Sequence, residues 1–538
     1  MSATLALPAP TRPVTRAAAL LVCAALLLSA GCAVAPPSAI VSAVPTAQQT
    51  CQTWYRSLDA QIDAAGARDS GPRPVTGFPY LRIDRFTASL SDRLLPQASG
   101  AAIVPAAHAA WIERLRTLDD QARRHELANL PLAARQTLAR PFELASDSAA
   151  LAQFTQDCGA RLAATDLATA WQIERLRENL VVPDDYVNAY RVAGLYPLAR
   201  IPFLAGVRKI ETDMLRRFAA TVTTAPSQPR LHLTPVADAA WPALQANDIR
   251  AIMHAASDNA LDVPMPSAGQ RELLLRHFAP IWEIGVASTD DLPGALTWDD
   301  GAQHNGQATP VVDIHRPVVY RQIAHTRLGE RSLLQLVYTM WFGARTPTAS
   351  PIDLQAGRVD GLVWRVTLSP DGRPLVYDSM HPCGCYHMFF PVRGVAARAA
   401  PADAPGEWAF SPRAAPTLAS GERMVLRLAA ATHYLEGLDV RGAHAPTGAD
   451  ATHHWRDYDE LRSLALPNGR YRSVFDAQGF TPGTDRLESW LFWPMGIARA
   501  GAMRQWGRHA TAFVGRRHFD DARLIEQRFD IEAALADD

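Results

Sequence analysis

The segment from position 381 to 387, His-Pro-Cys-Gly-Cys-Tyr-His, holds the densest group of side chains that could do chemistry. Two imidazoles and two thiols alternate with other residues, at His381, Cys383, Cys385 and His387. On a straight strand all four would share one face, but the outer two would lie about 20 Å apart, too far for one ion. Pro382 and Gly384 favour a turn instead, which would bring two or three of the four side chains together.

Thiolate and imidazole are ligands that select Zn or Cu, so this segment predicts a Zn or Cu site. A distant histidine would complete the ligand set, and His325, His315 and His433 are candidates because they lie on or beside the same predicted sheet. The spacing differs from the Cys-x2-4-Cys pattern of structural zinc sites. A metal held here would activate water, which makes a metal-dependent hydrolase the first hypothesis for function.

Three other interpretations of the same cysteines stay open, of which the simplest is a pair of packed thiols. A bent Cys-Gly-Cys can just close a disulfide, because the Cα atoms of bridged cysteines lie roughly 4.4 to 6.8 Å apart. If the flanking imidazoles lower a thiol pKa, Cys383 and Cys385 would serve a thiol–disulfide redox protein. If the bridge is inert, it staples a structural or interaction protein.

Other catalytic signatures are absent from the sequence. It contains no Gly-x-Ser-x-Gly elbow, no Gly-x-Gly-x-x-Gly and no Cys-x-x-Cys-His, and His125-Glu126 is not followed by the second histidine of a zincin helix. The 538 residues include 53 basic and 54 acidic side chains, a net charge of -1 that argues against nucleic acid as a partner. Neither a substrate nor a protein partner follows from the sequence.

The first 31 residues have the organisation of an export signal. Arg12 and Arg16 precede the uncharged run 17–30, which is shorter than the roughly 20 residues of a membrane-spanning helix. The run ends in Ser29-Ala30-Gly31-Cys32, which resembles the lipobox of bacterial lipoproteins. The resemblance implies cleavage before Cys32 and acyl chains such as palmitate on that cysteine. The alternative is a plain secreted protein that is cut nearby.

The residue after the lipobox indicates the destination. Ala33 follows Cys32, and in Gram-negative lipoproteins the absence of Asp at this place implies the outer membrane. The membrane would then be a partner through the lipid anchor, with the soluble part in the periplasm. Residues 32–50 comprise the lipidated cysteine and a small, proline-containing tether typical of flexible spacers.

Six cysteines occur in the chain, at positions 23, 32, 51, 158, 383 and 385. Cys23 leaves with the signal and Cys32 carries the lipid, so four remain in an oxidising compartment, where disulfides persist. Cys51 and Cys158 stand at the two ends of a helical region. We therefore expect them to form a disulfide, with two buried free thiols as the alternative.

Periodicity indicates an α+β protein, with a helical N-terminal region followed by a mainly antiparallel β-sheet region with additional helices. Apolar spacing of the helical type recurs at 111–118, 151–162, 167–180 and 207–218. Runs typical of strands follow as an antiparallel meander at 318–326, 333–342, 361–368 and 374–380, and 424–428 adds another. The predicted regions are helical at 51–225, a mixed junction at 226–310, antiparallel β at 311–440 and mixed at 441–538.

Overall fold

The computed structural model describes residues 46–94, 105–182, 184–223, 229–236, 244–304, 307–347, 353–401, 406–442 and 450–531. The predicted signal, Cys32 and all but the end of the tether lie outside these residues. From Ala47 onward the described residues form one compact unit. None of the helices in these ranges combines the length and the apolar character that spanning a membrane needs.

The fold is α+β, as the sequence predicts. Helices occur throughout the described chain and are longest in its first half. They are α1 Ala47–Ala65, α2 Arg85–Leu94, α3 Pro105–Asn129, α4 Leu132–Ala139, α5 Ser148–Asp166, α6 Ala170–Glu178, α7 Asn188–Ala193, α8 Tyr196–Thr223, α9 Ala246–Ser257, α10 Ala268–His277, α11 Ser489–Phe492 and α12 Leu524–Arg528.

Most strands fall in the second half of the chain. They are β1 Arg73–Val75, β2 Phe78–Ile83, β3 Arg230–Pro235, β4 Ile281–Gly285, β5 Pro293–His304, β6 Gln307–Asp313, β7 Val318–Leu328, β8 Arg331–Arg345, β9 Gly357–Leu368, β10 Pro374–Met380, β11 Met388–Pro391, β12 Ala396–Ala397, β13 Glu422–Leu428, β14 Leu435–Gly442, β15 Asp450–Asp457, β16 Leu464–Ala465, β17 Tyr471–Arg472 and β18 Phe529–Asp530.

The N-terminal helices pack around a core that contains Trp54, Trp111 and Leu151. The predicted disulfide is confirmed: Cys51 on α1 and Cys158 on α5 are bonded, with their Cα atoms 5.1 Å apart. One difference from the predicted all-helical region is the hairpin of β1 and β2. Gly77 makes its turn possible, because φ at that position is +81°, a value that side chains rarely allow.

The predicted meander is confirmed. Strands β7, β8, β9, β10 and β11 are successive antiparallel neighbours, and Tyr338 on β8 lies opposite Trp364 on β9. Nearly all residues of β8 and β9 are buried on both faces. That burial explains their continuous apolar runs, because a strand covered on both sides has no polar face.

The large sheet extends beyond the predicted strands. It has twelve strands and runs β11-β10-β9-β8-β7-β15-β3-β4-β13-β14, with β5 paired to β8 and β6 paired to β5. The mixed junction therefore supplies β3 and β4 to the middle of this sheet. Strand β15 is parallel to both of its neighbours, and β13 is parallel to β4, so the sheet is mixed.

Candidate functional site

The connection from β10 to β11 contains the predicted metal-binding segment, and it makes the expected turn. Ser379 pairs with Met388, so the chain reverses between these residues. The amide of Gly384 donates to the carbonyl of His381 at 2.8 Å. Gly384 has φ +91°, and a Cβ there would lie 2.6 Å from the carbonyl oxygen of Ala510. Both the turn and the close approach of the two backbones require glycine.

The turn does not bring the two histidines to one point. Nδ1 of His381 lies 3.2 Å from Oδ1 of Asp360, whereas Nε2 of His387 lies 2.8 Å from Oδ2 of Asp378. Arg365 holds Asp378 through two further bonds of 2.9 and 2.5 Å. Burial lowers the pKa of both imidazoles, that of His387 to about 3. Each histidine thus belongs to a separate buried network.

Both cysteines of the turn are free thiols, with Cys383 buried and Cys385 partly exposed. A hydrogen bond with Cys383, and then burial, raise the pKa of Cys385 well above its usual value. A raised pKa disfavours the thiolate, which is the form that attacks disulfides. The environment of Cys385 therefore works against the reactive thiol that a redox role needs.

The remaining metal candidate, His325, lies on β7 and lines a different cavity. Its ring stacks on Phe86 at 5.0 Å, and its Nε2 lies 2.8 Å from the carbonyl oxygen of Pro264. Within the described ranges, no three His, Cys, Asp or Glu side chains are grouped so that they could hold a metal ion. Zn or Cu binding by residues 381–387 stays a prediction, and it would require His387 to leave Asp378.

Asp360 is the centre of a buried network that the sequence analysis missed. Its Oδ2 lies 2.9 Å from Nδ1 of His433, and Nε2 of His433 lies 3.2 Å from Oδ1 of Asp291. With His381 on the other oxygen of Asp360, the four side chains form a row, here called the Asp360 relay. All four are nearly inaccessible to water.

The charges of the Asp360 relay follow from its contacts. Burial alone would raise the pKa of Asp360, but His381, His433 and Arg486 together lower it well below its usual range. Burial opposes protonation of His433, yet its two carboxylate neighbours raise its pKa. The relay thus places the imidazole of His433 between two carboxylates, an arrangement that favours its charged form.

Three residues beside the relay have left-handed backbone conformations. Val359, Tyr386 and His433 have φ of +54°, +57° and +52°. Such values are unfavourable for residues with a Cβ, most of all for a β-branched one such as Val359. Strained residues of this kind persist where the surroundings fix them, and they cluster at functional sites. The strained backbone is therefore a second reason to regard the region around Asp360 as a candidate functional site.

Tyr386 connects this region to a cavity of about 410 Å³, which we call the α8 cavity because α8 forms one wall. The ring of Tyr386 lies 5.1 Å from that of His381, and Tyr386 also lines the cavity. The lining is mainly apolar and includes Phe203, Val207, Met214, Phe410, Phe492 and Phe513. Cavities of this size and composition typically bind small molecules.

A few polar side chains interrupt the apolar lining of the α8 cavity. Glu488 is buried, and burial raises its pKa to about 7 even though Arg486 and Arg345 lower it. The hydroxyl of Tyr386 accepts a hydrogen bond of 2.8 Å from Tyr434, whose own oxygen accepts from Arg345. A carboxyl that titrates near neutral pH can donate or accept a proton there.

No family model, no curated protein and no solved structure matches this chain. The class of the protein is therefore defined by its own features: an α+β fold with a mixed twelve-stranded sheet, and an apolar cavity with a buried carboxyl beside a strained, charged relay.

Proposed function

We propose that this chain is a lipid-anchored protein of the bacterial outer membrane, facing the periplasm, that binds an apolar or amphipathic small molecule in the α8 cavity. The lipobox-like residues at Cys32 support the anchor and the location. The observation that carries the binding function is the cavity itself, a space of about 410 Å³ whose lining is mainly apolar and whose polar side chains include Glu211, Glu407, Glu488 and Arg517. Such polar side chains orient a ligand whose body fills the apolar part.

The outer surface beside the cavity supports access from a membrane. Val192, Leu198 and Trp490 are 77%, 67% and 83% exposed, and Leu195, Ile201, Leu487 and Leu491 are exposed as well. The α8 and α11 segments that carry most of these residues touch through Phe203 and Phe492. Exposed apolar residues in such number mark interaction surfaces.

The charge of α8 also fits a membrane surface as the partner. The helix carries five basic and two acidic residues, among them Arg200, Arg208 and Lys209. A helix that combines basic residues with exposed Leu and Ile, beside an exposed Trp, is typical of the interface of an anionic bilayer. An amphipathic ligand would then pass between the bilayer and the cavity along α8.

Glu488 would bind the polar end of the ligand. Because its pKa is raised to about 7, the carboxyl is protonated below that pH and donates a hydrogen bond to a ligand oxygen. Above that pH the carboxylate repels an anionic head group. A fatty acid therefore suits the cavity better in slightly acidic than in alkaline solution.

The test is binding of a fluorescent apolar probe, N-phenyl-1-naphthylamine, and its displacement by dodecanoic acid. Gly206 lines the cavity on α8, and a Cβ there would meet no atom within 4 Å, so Gly206→Phe places a ring in the empty space. We expect this variant to lose most of the probe binding. Gly269→Phe is the matched control, since Gly269 also faces open space but lies on α10, outside the cavity.

Saturable probe binding that Gly206→Phe abolishes and Gly269→Phe preserves supports the proposal. Failure of the wild-type protein to bind the probe and dodecanoic acid contradicts it, and so does binding that is equal in the two variants. Displacement that weakens as the pH rises through 7 is expected from Glu488.

A further inference from the structure

A second cavity, of about 420 Å³, shares no lining residue with the α8 cavity. Its walls come from α3, from β7 and from the loop 505–508, so it lies between the N-terminal helices and the large sheet. Seven arginines and four aspartates line it, an excess of three positive charges. His325 adds no charge at neutral pH, because burial lowers its pKa to about 3. We call this cavity the arginine cleft.

Four of these arginines have carboxylate partners. Arg462 donates to Asp69 at 2.9 Å, and Arg321 lies 2.6 Å from Glu272. Arg508 and Arg85 both bind Asp185, each at 2.9 Å. Two lining aspartates take part as well, since Arg85 also contacts Asp520 at 3.2 Å and Arg462 contacts Asp459 at 3.0 Å.

The other three, Arg73, Arg114 and Arg271, have no carboxylate within ion-pair distance among the described residues. Nε of Arg73 is buried and makes no hydrogen bond. Arg114 donates to the hydroxyl of Thr87 at 3.0 Å and approaches His325 at 3.4 Å, both uncharged partners. Burial lowers the pKa of Arg73 and Arg114, which shows that their charges are poorly compensated.

The three guanidinium groups are partly buried at the wall of the cavity, where they are less well hydrated than on an open surface. An anion that enters the cavity compensates their charges. Guanidinium presents a planar fork of N–H donors that matches the oxygens of phosphate and carboxylate. The three arginines lie on separate elements, since Arg114 is on α3, Arg271 on α10 and Arg73 on β1.

We propose that the arginine cleft binds a small polyanion whose phosphate or carboxylate groups are held by Arg73, Arg114 and Arg271. The ligand carries more than one anionic group, because three guanidinium groups on separate elements lack a carboxylate partner among the described residues. This site is independent of the α8 cavity, and its ligand is charged where that of the α8 cavity is apolar.

The test uses inorganic pyrophosphate and citrate as probes, with sodium chloride at matched ionic strength as the reference. Isothermal titration calorimetry of the purified full chain should show saturable binding of one anion per chain. We expect pyrophosphate or citrate to bind more tightly than orthophosphate, because more charges are compensated. The affinity should fall with added salt, as for any ion pairing that solvent can reach. A bound anion should also raise the midpoint of thermal unfolding.

The variants are Arg73→Ala and Arg271→Ala, each expected to weaken binding at least about tenfold, which corresponds to about 1.4 kcal/mol, because each removes a charge-assisted hydrogen bond. Arg470→Ala is the control, since Arg470 is exposed and lies outside the cleft. Arg271 lies in the first turn of α10, and its side chain has no ion-pair partner in the part of the chain that the structure describes, so its replacement should leave the circular dichroism spectrum unchanged. Absence of saturable binding of both probes overturns the proposal, and so does equal affinity in wild type, Arg73→Ala and Arg271→Ala.

Discussion

Asp360 and His433 form a buried ion pair in which 2.9 Å separates Oδ2 from Nδ1. His433 lies between β13 and β14 in a left-handed conformation, and Asp360 lies within β9. The pair therefore ties a strained loop to a central strand. Each charge is tolerated in the interior because the other is present.

Replacing Asp360 by Asn should destabilise the protein by about 3 to 5 kcal/mol, because it leaves a buried imidazolium without one of its carboxylates. Urea unfolding measures the loss. Asp485→Asn is the control, since Asp485 pairs with Arg499 at the surface, where such pairs contribute about 1 kcal/mol or less. Similar losses of unfolding free energy in the two variants would show that the Asp360 relay contributes no more to stability than a surface ion pair.

Glu488 should make stability decrease as the pH rises towards neutrality. Its folded-state pKa of about 7 lies above the ordinary 4.5, so its contribution is complete below pH 4.5 and is lost as the pH rises through 7. The free energy of unfolding that Glu488 contributes at low pH is roughly 3 kcal/mol, from the difference between its folded-state and ordinary pKa values. Glu488→Gln should remove this dependence in unfolding midpoints measured across that range. The exposed Glu178→Gln should retain the wild-type profile.

Loss of the Cys51–Cys158 disulfide should lower the free energy of unfolding by about 4 to 5 kcal/mol, because the bridge closes a long loop in the unfolded chain. The double variant Cys51→Ser, Cys158→Ser tests this in urea without reductant. The matched control is Cys383→Ser, Cys385→Ser, which removes two thiols and no bridge. Alkylation of Cys51 and Cys158 without prior reduction would contradict the bond.

The Zn or Cu prediction for residues 381–387 is tested by elemental analysis of the purified protein. A site there gives about one metal per chain near neutral pH and loses it on acidification, because thiols and imidazoles must lose protons to bind a metal. Cys383→Ala should lower the metal content, whereas His108→Ala, in the helical region, should not. Metal-free protein in which both thiols are readily alkylated would contradict the prediction.

The lipobox-like sequence predicts that Cys32 carries acyl chains. Cells fed with a fatty-acid probe should label the wild-type protein and fractionate it with the outer membrane. Cys32→Ser should abolish the label and release the protein from the membrane. Label that persists on Cys32→Ser would contradict the prediction.

The features that could be predicted from the sequence depend on residues close together in the chain. The strands of the meander show as runs around turns such as Ser369-Pro-Asp-Gly372, where β9 and β10 meet. The turn at Gly384 follows from its glycine and the neighbouring proline. The disulfide is the exception, since it joins residues 107 positions apart and was predicted from the parity of the cysteines and from their place in the helical region.

The Asp360 relay and the raised pKa of Glu488 could not be predicted, because they depend on contacts between residues that are distant in the sequence. His433 meets Asp360 across 73 positions, and Asp291 joins them from another loop. The available signal was Asp360 itself, an acid that comes shortly before the apolar residues 362–364 of a buried strand, since a charge there needs a buried partner. Nothing near Glu488 in the sequence indicates a raised pKa, because the effect comes from burial by segments that meet only in the fold.

The place of β15 between β7 and β3 has a consequence for how the chain folds. This strand alone joins the two halves of the large sheet, and it pairs Asp450 with His232, far earlier in the chain. During synthesis both β7 and β3 are complete long before β15 exists, so each presents an open edge. Pairings between such distant residues form slowly, and open edges invite aggregation. The middle of the sheet is thus the last part to assemble, and a chain that stops before residue 450 leaves two half-sheets.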